Sequence, residues 1–114
     1  MTAAALPLPA IPGSFAREAA AAARLLRALA SEPRLLILCR LTAGEASVGA
    51  LLPATGLSQS ALSQHLARLR AEGLVATRRA GTSILYRLAD PAAARLLEAL
   101  AGIYCPGLSG SGSP

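Results

Sequence analysis

At 114 residues, with 54% apolar content, the chain has material for one small domain with a single core and too little for two. Arginines or prolines interrupt every apolar run before it reaches about 20 residues, so no membrane-spanning helix is expected. All eleven basic residues are arginine against six acids, a net charge of +5, which favours a polyanionic partner, most simply nucleic acid.

The opening "MTAAALPLPAIPG", residues 1–13, lacks the basic start and unbroken apolar core of a signal peptide, and its prolines oppose helix. It reads as a disordered tail on a cytoplasmic protein. "SFAREAAAAARLLRALA" then predicts a helix capped by Ser14, with Leu25, Leu26 and Leu29 at helical spacing. "SEPRLLILCRL" restarts a helix: Ser31 can accept a bond from an orphan amide, and Pro33 is tolerated only in the first turn. Leu35, Leu38 and Cys39 are expected to share a stripe. After "TAGEA", the stretch "SVGALLPATG" offers a short helix capped by Ser47 and stopped by Pro53 and Gly56.

"LSQSALSQHLARLRAEG" has the clearest helical pattern, with Ser58 as cap, Leu62, Leu66 and Leu69 at i, i+4 and i+7, and Gly73 as stop. "LVATRR" and "SILYRL" alternate and are rich in strand formers, and the intervening "AGT" suits a hairpin turning on Gly81. "DPAAARLLEALAGIYC" predicts a last helix with Asp90 as cap, Pro91 first, and Leu96, Leu97, Leu100, Ile103 and Tyr104 on its apolar side. Residues 106–114 read as a flexible end. The domain is therefore expected over 14–105. It is mainly α with a β-hairpin wing: a winged helix-turn-helix.

A domain this small favours a symmetric dimer. Its interface is expected on the terminal helices, through Leu25, Leu26 and Leu29 of the first and Leu96, Leu97, Leu100, Ile103 and Tyr104 of the last.

The polar face of the fourth helix carries the functional expectation. Ser58, Gln59, Ser60, Ser63 and Gln64 occupy its start, where a recognition helix meets base edges, and Gln and Ser both donate and accept there. Arg68, one turn on, is placed for phosphate. Residues 58–88 hold Arg68, Arg70, Arg78, Arg79 and Arg87 against Glu72 alone, so most of the excess charge is local. Arg78, Arg79 and Arg87 are expected to set the wing against phosphates or in the minor groove. The plainer alternatives are a solvated helix face and arginines that keep a sheet edge from aggregating. His65 is expected to pack or bond locally. No CxxC, glycine-rich phosphate loop or Ser-His-Asp pattern supports an enzyme.

The stretches "LLRALASEPRLLIL", "SVGALLPATGLSQSALSQHLARLRAEGLVATRR" and "ILYRL" resemble the ArsR family of bacterial winged-helix repressors over roughly residues 20–105. The resemblance implies a homodimer on double-stranded operator DNA. Most members sense metals, with thiolates on the short helix or Asp and His pairs on the last one. Here the first place reads "EASVGAL" and the second offers Asp90 and Glu98 without histidine, so no metal or other cofactor is expected.

The two cysteines, Cys39 and Cys105, resemble those of the thiol-sensing branch of the family, the group of BigR, SqrR and HlyU. That likeness implies a repressor relieved when reactive sulfur species, persulfide or polysulfide, modify the pair. A peroxide-driven disulfide on the same scaffold is the alternative, and would need the two Cα atoms within about 7 Å. A thiol metal or arsenite sensor would require a third ligand. A winged helix that binds only proteins, with both cysteines as packing material, is the remaining reading.

Overall fold

The computed structural model describes residues 13–104. They form helices α1 (Gly13–Leu29), α2 (Glu32–Leu41), α3 (Val48–Thr55), α4 (Gln59–Ala71) and α5 (Pro91–Tyr104), with strands β1 (Ala46–Ser47), β2 (Val75–Ala80) and β3 (Ser83–Leu88). The strands make one antiparallel sheet in the order β1-β3-β2. Of the tails expected over 1–13 and 106–114, Gly13 is the first residue of α1 rather than part of a tail, and the rest lie outside the described residues, as does Cys105. Among the described residues no helix is long and apolar enough to cross a membrane.

Local chemistry starts the helices. The side chains of Ser31, Ser47 and Ser58 each accept from the amide three residues on, those of Arg34, Ala50 and Ala61, at 3.5, 3.2 and 3.1 Å. Asp90 Oδ1 accepts from Ala92 at 2.8 Å and Ala93 at 3.4 Å, with Pro91 as the first helical residue, where no amide is missed. The first helix begins at Gly13, one residue before the expected cap position Ser14.

The stops are equally local. At the end of α4, Gly73 takes φ 79°, its amide donates to Arg70 and the amide of Leu74 to Leu69, both at 3.0 Å. This six-residue closure satisfies carbonyls that the helix would otherwise orphan, and Leu74 drops into the core beside the buried Leu69. Pro53, expected to stop α3, lies inside it, and the helix runs on to Thr55 with Gly56 as its cap. The ring is exposed, and its missing amide could have reached only Gly49, so a two-turn helix loses one hydrogen bond.

The core gathers Ile37 and Leu38 of α2, Leu51 of α3, Leu62, Leu66 and Leu69 of α4, and Leu97 of α5, all below 2% exposed. Each such side chain contributes about 1.5–3 kcal/mol. The inward face of α2 is Arg34, Ile37, Leu38 and Leu41. That corrects the expected stripe: Leu38 is buried, Leu35 is half-buried and Cys39 is exposed. Arg34 is the charged member of this face. Its NH1 donates to the Ala28 carbonyl at 3.3 Å and to Glu72 Oε1 at 3.4 Å, joining the ends of α1 and α4.

β1 has no counterpart in the sequence reading. Ala46 pairs with Tyr86 and Ser47 with Leu85, so the residue that caps α3 is also a strand residue beside the hairpin. The helix-turn-helix and the wing are thereby fastened together.

Candidate nucleic-acid interface

Three leucines on one side of α4 anchor it, and the opposite side is left to solvent. Gln59, Ser60, Ser63, Gln64 and Arg68 are all exposed, as is Ser58, while Leu62, Leu66 and Leu69 are fully buried. Ser58 therefore both starts the helix and stands at the edge of the exposed polar face. His65 is half-buried at the margin between the two faces. Such a face offers rigidly mounted groups that donate and accept, as a major groove requires.

The turn that leads into this helix is tied by short bonds. Thr55 Oγ1 donates to the Leu51 carbonyl at 2.8 Å and accepts from the Leu57 amide at 3.3 Å, while the Gly56 amide donates to Leu52 at 2.9 Å. Thr55 is buried at 7% exposure, so α3 and α4 meet across a fixed joint.

The hairpin splits the three arginines assigned to it. The register sets Arg78 against Leu85 and Ala76 against Arg87, so Arg78 and Arg87 share one face of the sheet. Arg79 sits opposite Ile84 on the other face, the one that carries buried Val75 and half-buried Tyr86 nearer the body. All three arginines are exposed.

Arg78 differs in being engaged. Its Nε and NH2 donate to the two carboxylate oxygens of Glu45, each at 2.8 Å. That fork holds the Glu45 carboxyl below the ordinary carboxylate range, chiefly through the hydrogen bond from Arg78, with the charges of Arg78 and Arg87 adding to it. The same bond raises Arg78. Glu45 was no site candidate in the sequence, because its partner lies 33 residues away and no local pattern joins them.

On α2, Cys39 faces outward with Leu36, one turn earlier and 40% exposed. Its carbonyl accepts from Thr42 Oγ1 at 2.5 Å, and Arg40 NH1 donates to the Gly44 carbonyl at 3.3 Å, which lays the loop before β1 against the end of the helix. Among the described residues, no three of His, Cys, Asp and Glu gather where a metal could be held.

The residues expected at a dimer interface divide in two. Leu29 and Leu97 are buried in the protomer's own core, and Leu25 and Leu96 pack against it. Leu26, Ile103 and Tyr104 stand 56%, 67% and 78% exposed, with Leu100 half-buried.

Residues 31–77, from the cap of α2 into β2, match the family described as bacterial regulatory protein, arsR family. The biofilm growth-associated repressor of Agrobacterium fabrum is 46% identical over 100 residues, 88% of this chain and 82% of that protein. The solved structure of reduced HlyU from Vibrio cholerae superposes with a TM-score of 0.76 at 45% identity, covering 82% of this chain and 99% of its own. A homodimeric winged helix-turn-helix DNA-binding domain from Mycobacterium bovis gives 0.67 at 33% identity, over 94% and 99%. These relatives are DNA-binding regulators rather than enzymes. With the helix-turn-helix, the wing and the family pattern in one place, the chain belongs to the ArsR family of winged helix-turn-helix transcriptional repressors.

Proposed function

We propose that this repressor reads operator DNA as a homodimer, with Gln59, Ser60, Ser63 and Gln64 of α4 on base edges, and that Cys39 and Cys105 release it when reactive sulfur species modify them. Arg68, Arg78, Arg79 and Arg87 position the protein on phosphates, and Ser58 caps the reading helix at the groove. The polar, exposed face of α4 over its leucine anchor carries the DNA part of the reading. Leu26, Ile103 and Tyr104 supply the apolar surface a second protomer covers, which sets the two α4 helices to half-sites about 34 Å apart. Such a regulator works in the cytoplasm.

For the thiols, the support is the exposure of Cys39 on the outer face of α2 and the relative named by its redox state, reduced HlyU. A thiolate attacks sulfane sulfur in a polysulfide and expels a shorter hydropolysulfide. When the transferred chain is Cys–S–S–S⁻, the second thiolate attacks its middle sulfur, expelling hydrosulfide and leaving the pair joined through one added sulfur.

The test is intact mass of the reduced protein after polysulfide and, separately, after peroxide. Cys39→Ser and Cys105→Ser serve as controls, and the same samples are titrated onto an operator selected from random duplexes. Added sulfur linking the two cysteines, with release only after polysulfide, is the expected result. Loss of two hydrogens with release after peroxide would move the function to a disulfide switch. DNA binding indifferent to both reagents would remove the sensing role from the cysteines.

A further inference from the structure

The bridge between Glu45 and Arg78 lies on the exposed hairpin that the proposed function sets against DNA. A guanidinium offers a planar fork that fits a carboxylate and a phosphate alike, and Glu45 fills that fork through both of its oxygens at 2.8 Å. Arg87 stands on the same face of the hairpin, close enough to hold the Glu45 carboxyl further in its charged form. The arrangement is thus one guanidinium bonded through its fork to a carboxylate, with a second arginine on the same exposed face of the hairpin. Arg78 itself is 56% exposed and Glu45 30%, so solvent and a ligand reach the pair from outside.

We propose that Glu45 is an internal competitor for the DNA backbone: it occupies the phosphodiester site that the Arg78 fork offers on the wing until a phosphate displaces it. This rests on reading the hairpin as a DNA-contacting wing, and it adds to that reading the site and its internal occupant. An exposed ion pair is weakly held, which makes the exchange possible.

The exchange also changes the ion balance. When a phosphate takes Arg78, the DNA loses a condensed cation, but the uncovered Glu45 carboxylate recruits one from solution. The wild-type contact is therefore nearly salt-neutral, and weak duplexes gain little from it. Without the carboxylate the same contact releases one net cation for each wing. Glu45 thereby lowers affinity for DNA of any sequence and leaves the α4 contacts to decide where the protein rests.

The experiment uses the reduced homodimer and a mixed-sequence duplex long enough for two half-sites, with affinity measured by fluorescence anisotropy between about 50 and 200 mM salt. Glu45→Gln keeps the shape and a neutral acceptor. It is expected to bind about 1.5- to 5-fold tighter for each wing, the range set by exposed pairs. Its logarithmic salt slope should steepen by about 0.9 per wing. In the Arg78→Gln background, Glu45→Gln should lose most of its effect, because the cation that the carboxylate and the phosphate contest is gone. Arg79→Gln reports separately on whether the hairpin meets DNA. If Arg79→Gln weakens binding while Glu45→Gln leaves it unchanged or weakens it, the bridge only braces the wing and the competitor idea is overturned. If every hairpin variant binds as wild type, the wing reading itself fails. Far-UV spectra and melting curves of each variant separate these outcomes from loss of fold.

Discussion

Replacing Gly73 and Gly49 by alanine makes the same chemical change at two places where the backbone demands opposite outcomes. At Gly73 φ is +79° and an added Cβ meets nothing within 4 Å, so no clash contributes and the cost is conformational alone. Holding an L-residue in that left-handed region costs about 1–2 kcal/mol. The loss of unfolded-state freedom returns about 0.4–1 kcal/mol, leaving a net destabilisation of about 1 kcal/mol. Gly49 lies in the first turn of α3, where a Cβ would sit 3.7 Å from Ser47 Oγ, an ordinary contact. There alanine should stabilise by about 0.5–1 kcal/mol through helix propensity. For a domain of this size about 1 kcal/mol moves Tm by roughly 4–8 °C, so the two variants should separate clearly on either side of wild type. Thermal melts by circular dichroism at one protomer concentration are the assay, since dimerisation adds to apparent stability. Gly73→Asn should fall between wild type and Gly73→Ala, because asparagine enters the left-handed region more readily. Two alanine variants shifting in the same direction would refute the dihedral argument.

Other expectations follow from single contacts. Leu66→Ala removes a side chain 1% exposed at the centre of the α4 anchor and should cost about 2–5 kcal/mol, read by urea denaturation. Ser58→Ala should lose about 1 kcal/mol with its bond from the Ala61 amide. Ser58→Asp should keep the cap and the melting temperature yet weaken duplex binding, because it places a carboxylate beside the reading face; unchanged affinity would remove Ser58 from the interface. The depressed Glu45 carboxyl gives a pH dependence of known sign. Its contribution to stability is fully present above the ordinary value of 4.5 and is lost as pH falls through the lower folded value. The stability difference between wild type and Glu45→Gln should therefore shrink in acid below that range, measured by denaturation at stepped pH.

Much of the helix-turn-helix was legible because its signals are local. Ser31, Ser47, Ser58 and Asp90 each sit within three residues of the amides they accept from, and Leu62, Leu66 and Leu69 repeat at helical spacing inside one segment. The hairpin announced itself through alternation and Gly81. What escaped depends on distance along the chain. β1 is two residues long, too short for any period, and exists because Tyr86 and Leu85 are beside it. Arg34 reads as surface in sequence, yet it is buried because the Ala28 carbonyl and Glu72, 38 residues on, meet it. The Leu35, Leu38 and Cys39 stripe was drawn from spacing on a helix apolar nearly all round, where packing between α1 and α3 decides which side turns inward. Of the wing arginines, the sequence shows the charges but not their division between two faces, nor that Arg78 is already paired.

The joint between α3 and α4 leaves the reading face without structural duties. Thr55, Gly56 and the Ser58 cap fix the entry angle of α4, and its leucines fix its rotation about its axis. Among the described residues, the side chains of Gln59, Ser60, Ser63 and Gln64 bond to none of these supports. Letters and typebar are thus separate parts: the four positions can be exchanged for other helix-compatible residues without moving the frame that presents them. A lineage could then acquire new operators by point changes on one helix, and a combinatorial library at those four positions should yield mostly folded proteins with altered sequence preference.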